Sequence, residues 1–218
     1  MADLVIAQFG GARRRLIEEL VEKGIGDVSV LKAFDDVPRH LFVPSGLHHR
    51  AYDDAPLPIG FGQTISQPWV HAKYLQLLAL TGTERVLEIG TGSGFQTALL
   101  TRLAGQVFSI ERIPELADEA RQSLQSAGIE QVVQRVGDGT LGWPEHGPFD
   151  AILVGAASPD LPGPLLDQLA VGGQLLVPVG GRDEQSLVRV RRTETGFTRS
   201  TLDVMRFVPL IGTYGFKE

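Results

Sequence analysis

The chain has 218 residues, 43% of them hydrophobic and 21% charged, which is the balance of a globular protein with ample material for a core. Lysine and arginine number 20 against 26 aspartate and glutamate, and the net charge of −6 offers no general attraction to nucleic acid or to an anionic membrane. The absence of cysteine excludes disulfides, thiolate metal sites and cysteine nucleophiles. There is no basic leader followed by an apolar run, and no stretch approaches a membrane-spanning length, so the expected location is the cytoplasm.

Residues 1–11 read as an added N-terminal arm. Ala12 to Lys23 has Leu16, Leu20 and Val21 on one side and Gly24 as a stop, so a helix is predicted there. A second short helix is expected over Asp27 to Phe34. Five prolines and three glycines between Pro38 and Pro68 predict ordered loop, and helical periodicity resumes from Trp69 to Leu80. No strand is expected in residues 1–80, which form one helical and loop region. Residues 81–218 form a second region in which strands and helices alternate. Strands are predicted at Arg85–Ile89, Val107–Ile110, Val132–Val136, Ala151–Val154, Gln174–Val177, Val188–Arg191 and Met205–Val208. Helices are predicted at Gln96–Leu103, Pro114–Ala127 and Leu165–Leu169. This alternation predicts a doubly wound, Rossmann-like α/β domain with a parallel sheet and helices on both faces.

The informative junction is Arg85-Val86-Leu87-Glu88-Ile89-Gly90-Thr91-Gly92-Ser93-Gly94-Phe95. A short apolar strand enters a turn with three alternating glycines and leaves as a helix, which brings backbone N–H groups up to a ligand. A dinucleotide fingerprint would need a small residue where Phe95 stands, so the pattern suits a ligand without a pyrophosphate, such as S-adenosylmethionine. Acids end three successive strands. Glu88 stands beside the turn. Glu111 is placed to accept ribose hydroxyls, and Asp138 to accept the amine of adenine. The turn alone would equally serve a methyltransferase of a small carboxylic acid, or a silent S-adenosylmethionine-binding module.

The segment Pro58-Ile59-Gly60-Phe61-Gly62-Gln63-Thr64-Ile65-Ser66-Gln67-Pro68 resembles the signature of the protein-L-isoaspartate (D-aspartate) O-methyltransferase family, a group of class I methyltransferases. The resemblance extends through Val37-Pro38-Arg39-His40, Leu87 to Gly94, Glu111-Arg112-Ile113, Val136-Gly137-Asp138-Gly139 and Arg206-Phe207-Val208-Pro209-Leu210. It implies methyl transfer from S-adenosylmethionine, with S-adenosylhomocysteine as product, to the free carboxylate of isoaspartyl residues in damaged proteins and peptides. It also implies roles for particular residues. Ser66 and Thr64 would be catalytic. Gln63, Ile65, His71, Glu88, Gly90, Thr91, Gly92, Ser93, Gly94, Glu111, Arg112, Asp138 and Gly139 would hold the cofactor. Phe207 and Val208 would cradle the peptide, and no metal is used. Two positions depart from the family pattern: Phe95 stands where tyrosine is common, and Gly155 where threonine is frequent.

The chemistry asks little of side chains. A carboxylate, with a reference pKa near 4, is already ionised at neutral pH. The leaving group is a neutral thioether, so neither a base nor an acid is required. What remains is in-line positioning and exclusion of water, for which the hydroxyls of Thr64 and Ser66 supply donors. Ser66 also stands where a cap is expected for the helix beginning near Pro68.

Overall fold

The computed structural model describes residues 9–217. Residues 1–8 of the expected N-terminal arm lie outside the described residues, while Phe9 stacks on His40 with ring centroids 4.4 Å apart. Helix α1 (Gly10–Glu22) buries Leu16 and Leu20. Helix α2 (Val28–Asp36) is capped by Asp27, whose carboxylate accepts from the N–H groups of Ser29 and Val30.

Two strands that the sequence did not suggest follow. Strands β1 (Leu57–Gly60) and β2 (Gln63–Ile65) pair antiparallel as a small hairpin. With four and three residues, one of them proline, they are too short to build a period-two pattern. Helix α3 (Pro68–Leu78) comes next. Its first turn is closed by a distant residue, since the Trp69 N–H donates to Asp54 Oδ1 at 2.7 Å. Ser66 is therefore not the cap.

The main sheet has seven strands: β3 (Arg85–Ile89), β4 (Gln106–Glu111), β5 (Val132–Val136), β6 (Phe149–Val154), β7 (Leu169–Gly180), β8 (Gln185–Thr193) and β9 (Gly196–Met205), in the order β5-β4-β3-β6-β7-β8-β9. The first five in this order are parallel. The expected parallel sheet is extended by β8 and β9, which are antiparallel. Only residues 181–184 separate β7 from β8, whereas a parallel return needs a crossover of about a dozen residues. Of the predicted closing strand Met205–Val208 only Met205 lies in a strand, as the last residue of β9; the chain leaves the sheet after it.

Helices α4 (Phe95–Leu100), α5 (Pro114–Ser126) and α6 (Gly163–Asp167) complete the fold. Alternate residues of each buried strand feed opposite faces. Val86, Val107, Ala151 and Leu153 pack in one core with Leu16, Leu20, Phe34, Leu75, Phe95 and Leu116. Leu87, Ile89, Phe108 and Ile152 pack in the other with Trp143, Leu165 and Leu210. The first core runs unbroken across residue 80, so the N-terminal region is anchored on the sheet. Strand order reverses between β3 and β6, which opens a crevice at their carboxyl ends. Among the described residues, no helix is long and apolar enough to cross a membrane.

Candidate active site

After Ile89 the chain turns through Gly90 (φ 92°) and Gly92 (φ 53°), both in the left-handed region where a side chain is strained. The Gly92 N–H donates to Glu111 Oε2 at 2.9 Å, tying this turn to the end of β4. Gly94 (φ 85°) lies in the same region and also serves packing. A Cβ there would meet Ala120 Cβ and the Ala120 carbonyl at 3.3 Å, so this glycine lets α4 and α5 approach. Three cavities occupy the crevice, and Gly94 itself borders none of them.

Those three cavities adjoin, and Thr64 and Gly155 border all of them. The first has apolar jaws, with Ile110, Ile113 and Leu116 facing Leu210 and Ile211, and a polar floor of Gln63, Glu111 and Arg112. Gly139 is part of its wall, and a Cβ there would lie 2.4 Å from Ile89 Cγ2. Glu111 accepts three backbone N–H groups, from Gly92 (2.9 Å), Arg112 (2.8 Å) and Ile113 (3.0 Å). Since a carboxylate offers about four acceptor sites, it keeps acceptor capacity for a ribose hydroxyl.

Asp138 is more fully engaged within the chain. Its Oδ1 accepts from the N–H (2.9 Å) and Oγ1 (2.6 Å) of Thr140, and its Oδ2 from the N–H and Oγ1 of Thr213, both at 2.8 Å. All its acceptor sites are taken, and it is not on the cavity wall. It pins the C-terminal turn that carries Ile211 against the first cavity.

The second cavity is bordered by Ile65, Ser66, His71, Tyr74, Glu88, Gly90, Thr91, Ser93, Gln96 and Phe207 among others. Thr91 is held from β4, its Oγ1 lying 2.6 Å from Ser109 Oγ. Glu88 is fully buried. Its Oε2 accepts from Thr97 Oγ1 (2.5 Å) and Ser109 Oγ (2.7 Å), and Oε1 has no partner. Burial, with help from Glu111 and against the pull of the two hydroxyls, pushes its pKa up to about 7. His71 Nδ1 bonds Gln96 Oε1, which leaves the lone pair on Nε2. Desolvation, aided by the Arg39 charge, lowers the His71 pKa to about 3, so the ring is neutral.

Four buried polar atoms here lack partners: Glu88 Oε1 and His71 Nε2 as acceptors, Gln96 Nε2 and Tyr74 Oη as donors. Orphaned buried polar atoms are costly and rare. This set matches a ligand end bearing both an ammonium and a carboxylate, and so fits the aminoacyl end of the expected cofactor. Gln96 and Tyr74 were not singled out from the sequence. The available signals were a glutamine in the first turn of α4 and a tyrosine one helical turn beyond His71.

The third cavity is bordered by Thr64, Ser66, Gly155, Arg206, Phe207 and Val208, with Pro56, Gln67 and Val70 completing it. The Phe207 N–H donates to Gln185 Oε1 at 2.8 Å and the Val208 carbonyl accepts from the Ala157 N–H at 2.8 Å. The segment after β9 is thereby strapped across the carboxyl end of β6. Phe95, fully buried, faces the apolar core and not the cavities. Among the described residues, no group of three or more histidine, aspartate or glutamate side chains is placed to hold a metal ion.

Residues 12–215 match the family model described as protein-L-isoaspartate(D-aspartate) O-methyltransferase. The chain is similar to protein-L-isoaspartate O-methyltransferase 1 of Syntrophobacter fumaroxidans, with 54% identity over 210 residues that cover 96% of this chain and 98% of that protein. A solved protein-L-isoaspartate O-methyltransferase superposes with a TM-score of 0.83 at 28% identity, covering 93% of this chain and 67% of the other. A Plasmodium falciparum protein described by its similarity to protein-L-isoaspartate O-methyltransferases, crystallised with S-adenosyl-L-homocysteine, superposes with a TM-score of 0.79 at 27% identity, covering 91% of this chain and 98% of the other.

Proposed function

We infer the division of labour among the three cavities from one premise: this chain belongs to the protein-L-isoaspartate(D-aspartate) O-methyltransferase family. It is an S-adenosylmethionine-dependent enzyme that methylates the free carboxylate of isoaspartyl residues in damaged proteins, giving an ester that recloses to succinimide. The observation that carries the assignment of parts is the shared wall. Thr64 and Gly155 border all three cavities, and Ser66 stands between the second and the third.

In this reading the first cavity takes the adenosine, between the apolar jaws and Glu111. The second takes the aminoacyl end, with Glu88 Oε1 and His71 Nε2 toward its ammonium, and Gln96 Nε2 and Tyr74 Oη toward its carboxylate. The third takes the isoaspartyl residue. When bound, S-adenosylmethionine supplies a methyl group on a positively charged sulfur. The protein's task is to bring a carboxylate oxygen into line with that methyl and to keep water away. Ser66 Oγ and Thr64 Oγ1 donate to the carboxylate and hold its orientation. A neutral hydroxyl suits this role, because it binds the anion without transferring a proton to it. Phe207 and Val208 form the facing wall and exclude solvent from the junction. Negative and positive charge cancel during transfer, so a buried low-dielectric site favours the step.

The test uses labelled S-adenosylmethionine and two peptides that differ only in carrying isoaspartate or aspartate at one position. Base-labile methyl esters are expected on the isoaspartyl peptide alone. Ser66→Ala is expected to lower kcat by roughly 10- to 100-fold through loss of alignment, with an unchanged melting temperature. Near-normal turnover in that variant would remove Ser66 from the mechanism. Label on neither peptide, with cofactor still bound, would favour a small acid as substrate. A cytoplasmic location is part of the same proposal, with cell fractionation as its test.

A further inference from the structure

Arg39 lies in the turn that follows α2, and its side chain is 1% exposed. An arginine so enclosed needs strong compensation. Here its guanidinium makes one hydrogen bond among the described residues, from Nη2 to the Ser66 carbonyl at 2.9 Å. Its Nε and Nη1 are buried without partners. The guanidinium lies over the Phe95 ring, 4.6 Å from the centroid, and the same ring meets His71 edge-on at 5.4 Å. Asp54 attracts it through space, but that carboxylate is engaged by Lys23 Nζ at 2.6 Å and by the Trp69 N–H. The fold thus encloses a cation whose one hydrogen bond among the described residues goes to the backbone of the residue placed at the junction of the second and third cavities.

We propose that Arg39 is a positioning residue for Ser66: clamped on Phe95, its guanidinium holds the Ser66 carbonyl and so sets the direction in which the Ser66 hydroxyl enters the methyl-transfer junction. This rests on the role given to Ser66 above. The alternative use of a cation here is to attract the substrate carboxylate directly. Arg39 borders none of the three cavities, and a cation touching the nucleophile would stabilise the charge that the reaction must discharge. The two uses separate kinetically. Loss of alignment lowers kcat, whereas loss of an anchor raises the KM of the peptide.

The experiment compares wild type, Arg39→Met, Arg39→Lys, Ser66→Ala and the double variant Ser66→Ala with Arg39→Met. For each, kcat and KM for the isoaspartyl peptide are measured at saturating S-adenosylmethionine. The Kd for S-adenosylhomocysteine and the thermal transition are followed alongside. Arg39→Met is expected to lower kcat by roughly 10- to 100-fold, with peptide KM and cofactor Kd within about threefold of wild type. Arg39→Lys should recover part of the loss, because an ammonium can donate to the same carbonyl. In the Ser66→Ala background, Arg39→Met should cost no more than about a further threefold. Full multiplication of the two losses would overturn the proposal, as would a raised KM at unchanged kcat. If Arg39→Met loses its cooperative transition, the graded kcat of Arg39→Lys and its combination with Ser66→Ala carry the same test. Full turnover in Ser66→Ala would overturn both this proposal and the role of Ser66. Loss in Ser66→Ala with full turnover in Arg39→Met would overturn this one alone.

Discussion

Replacing Glu88 by glutamine should uncouple both stability and cofactor affinity from pH in a defined window. The carboxyl is fully buried and its pKa is pushed from 4.5 up to about 7. A carboxyl with a raised folded pKa favours the folded state in its protonated form. Its contribution is complete below pH 4.5, where both states hold the proton, and is lost as pH rises to about 7. At 1.36 kcal/mol per pKa unit, the loss for the ligand-free protein is on the order of 3 kcal/mol. Glu88→Gln keeps an oxygen for Thr97 and Ser109 and has no proton to lose, so its stability should be flatter across that window. Cofactor binding should move the other way. If Glu88 Oε1 receives the cofactor ammonium, affinity requires the ionised carboxylate. Wild-type affinity should then fall by up to about tenfold per pH unit below 7, while that of the variant stays level. At pH 7.5 the variant should bind more weakly by about 1.5–3 kcal/mol, the usual value of a hydrogen bond to a charged group. Titration calorimetry with S-adenosylhomocysteine between pH 5.5 and 7.5, on both proteins, reads the affinity, and denaturant unfolding across pH 4.5 to 7.5 reads the stability. Parallel pH slopes, or equal affinities at pH 7.5, would show that Glu88 does not face the ammonium.

Asp54→Ala removes the acceptor for the first turn of α3 and the partner of Lys23. It should cost about 1–3 kcal/mol in denaturant unfolding, and a loss below about 0.5 kcal/mol would mean that water replaces the cap. Thr213→Val keeps the side-chain shape but deletes one of four donors to Asp138. It should weaken S-adenosylhomocysteine binding by roughly 2- to 10-fold, and an unchanged Kd would free the C-terminal turn from any part in the first cavity. Arg206 is exposed and borders the third cavity. Arg206→Glu should raise the peptide KM at low salt, with the difference shrinking as ionic strength increases; a salt-independent effect would point to packing instead.

What could be read along the chain was what neighbouring residues decide. The strand–turn–helix at Arg85 to Leu100 follows from an apolar run and glycines in left-handed conformations, and the serial strand ends at Glu88 and Glu111 follow from it. The signature around Gln63 to Gln67 located the junction of the cavities. It did so without revealing that Gln63 to Ile65 form a strand, because three residues carry no periodicity. Tertiary structure alone decided matters that depend on partners far away in sequence. Asp138 gives no sign in the sequence of Thr213, 75 residues on, which fills its second oxygen. Ser66 looked like a helix cap, but Asp54 had that place. Gln96, Tyr74 and Arg39 are ordinary residues in the sequence. They acquire meaning only once packing strips water from them and leaves their polar atoms around one cavity or behind one serine. Local backbone preference is encoded residue by residue, whereas the burial and pairing of a polar group depend on what the rest of the chain brings against it.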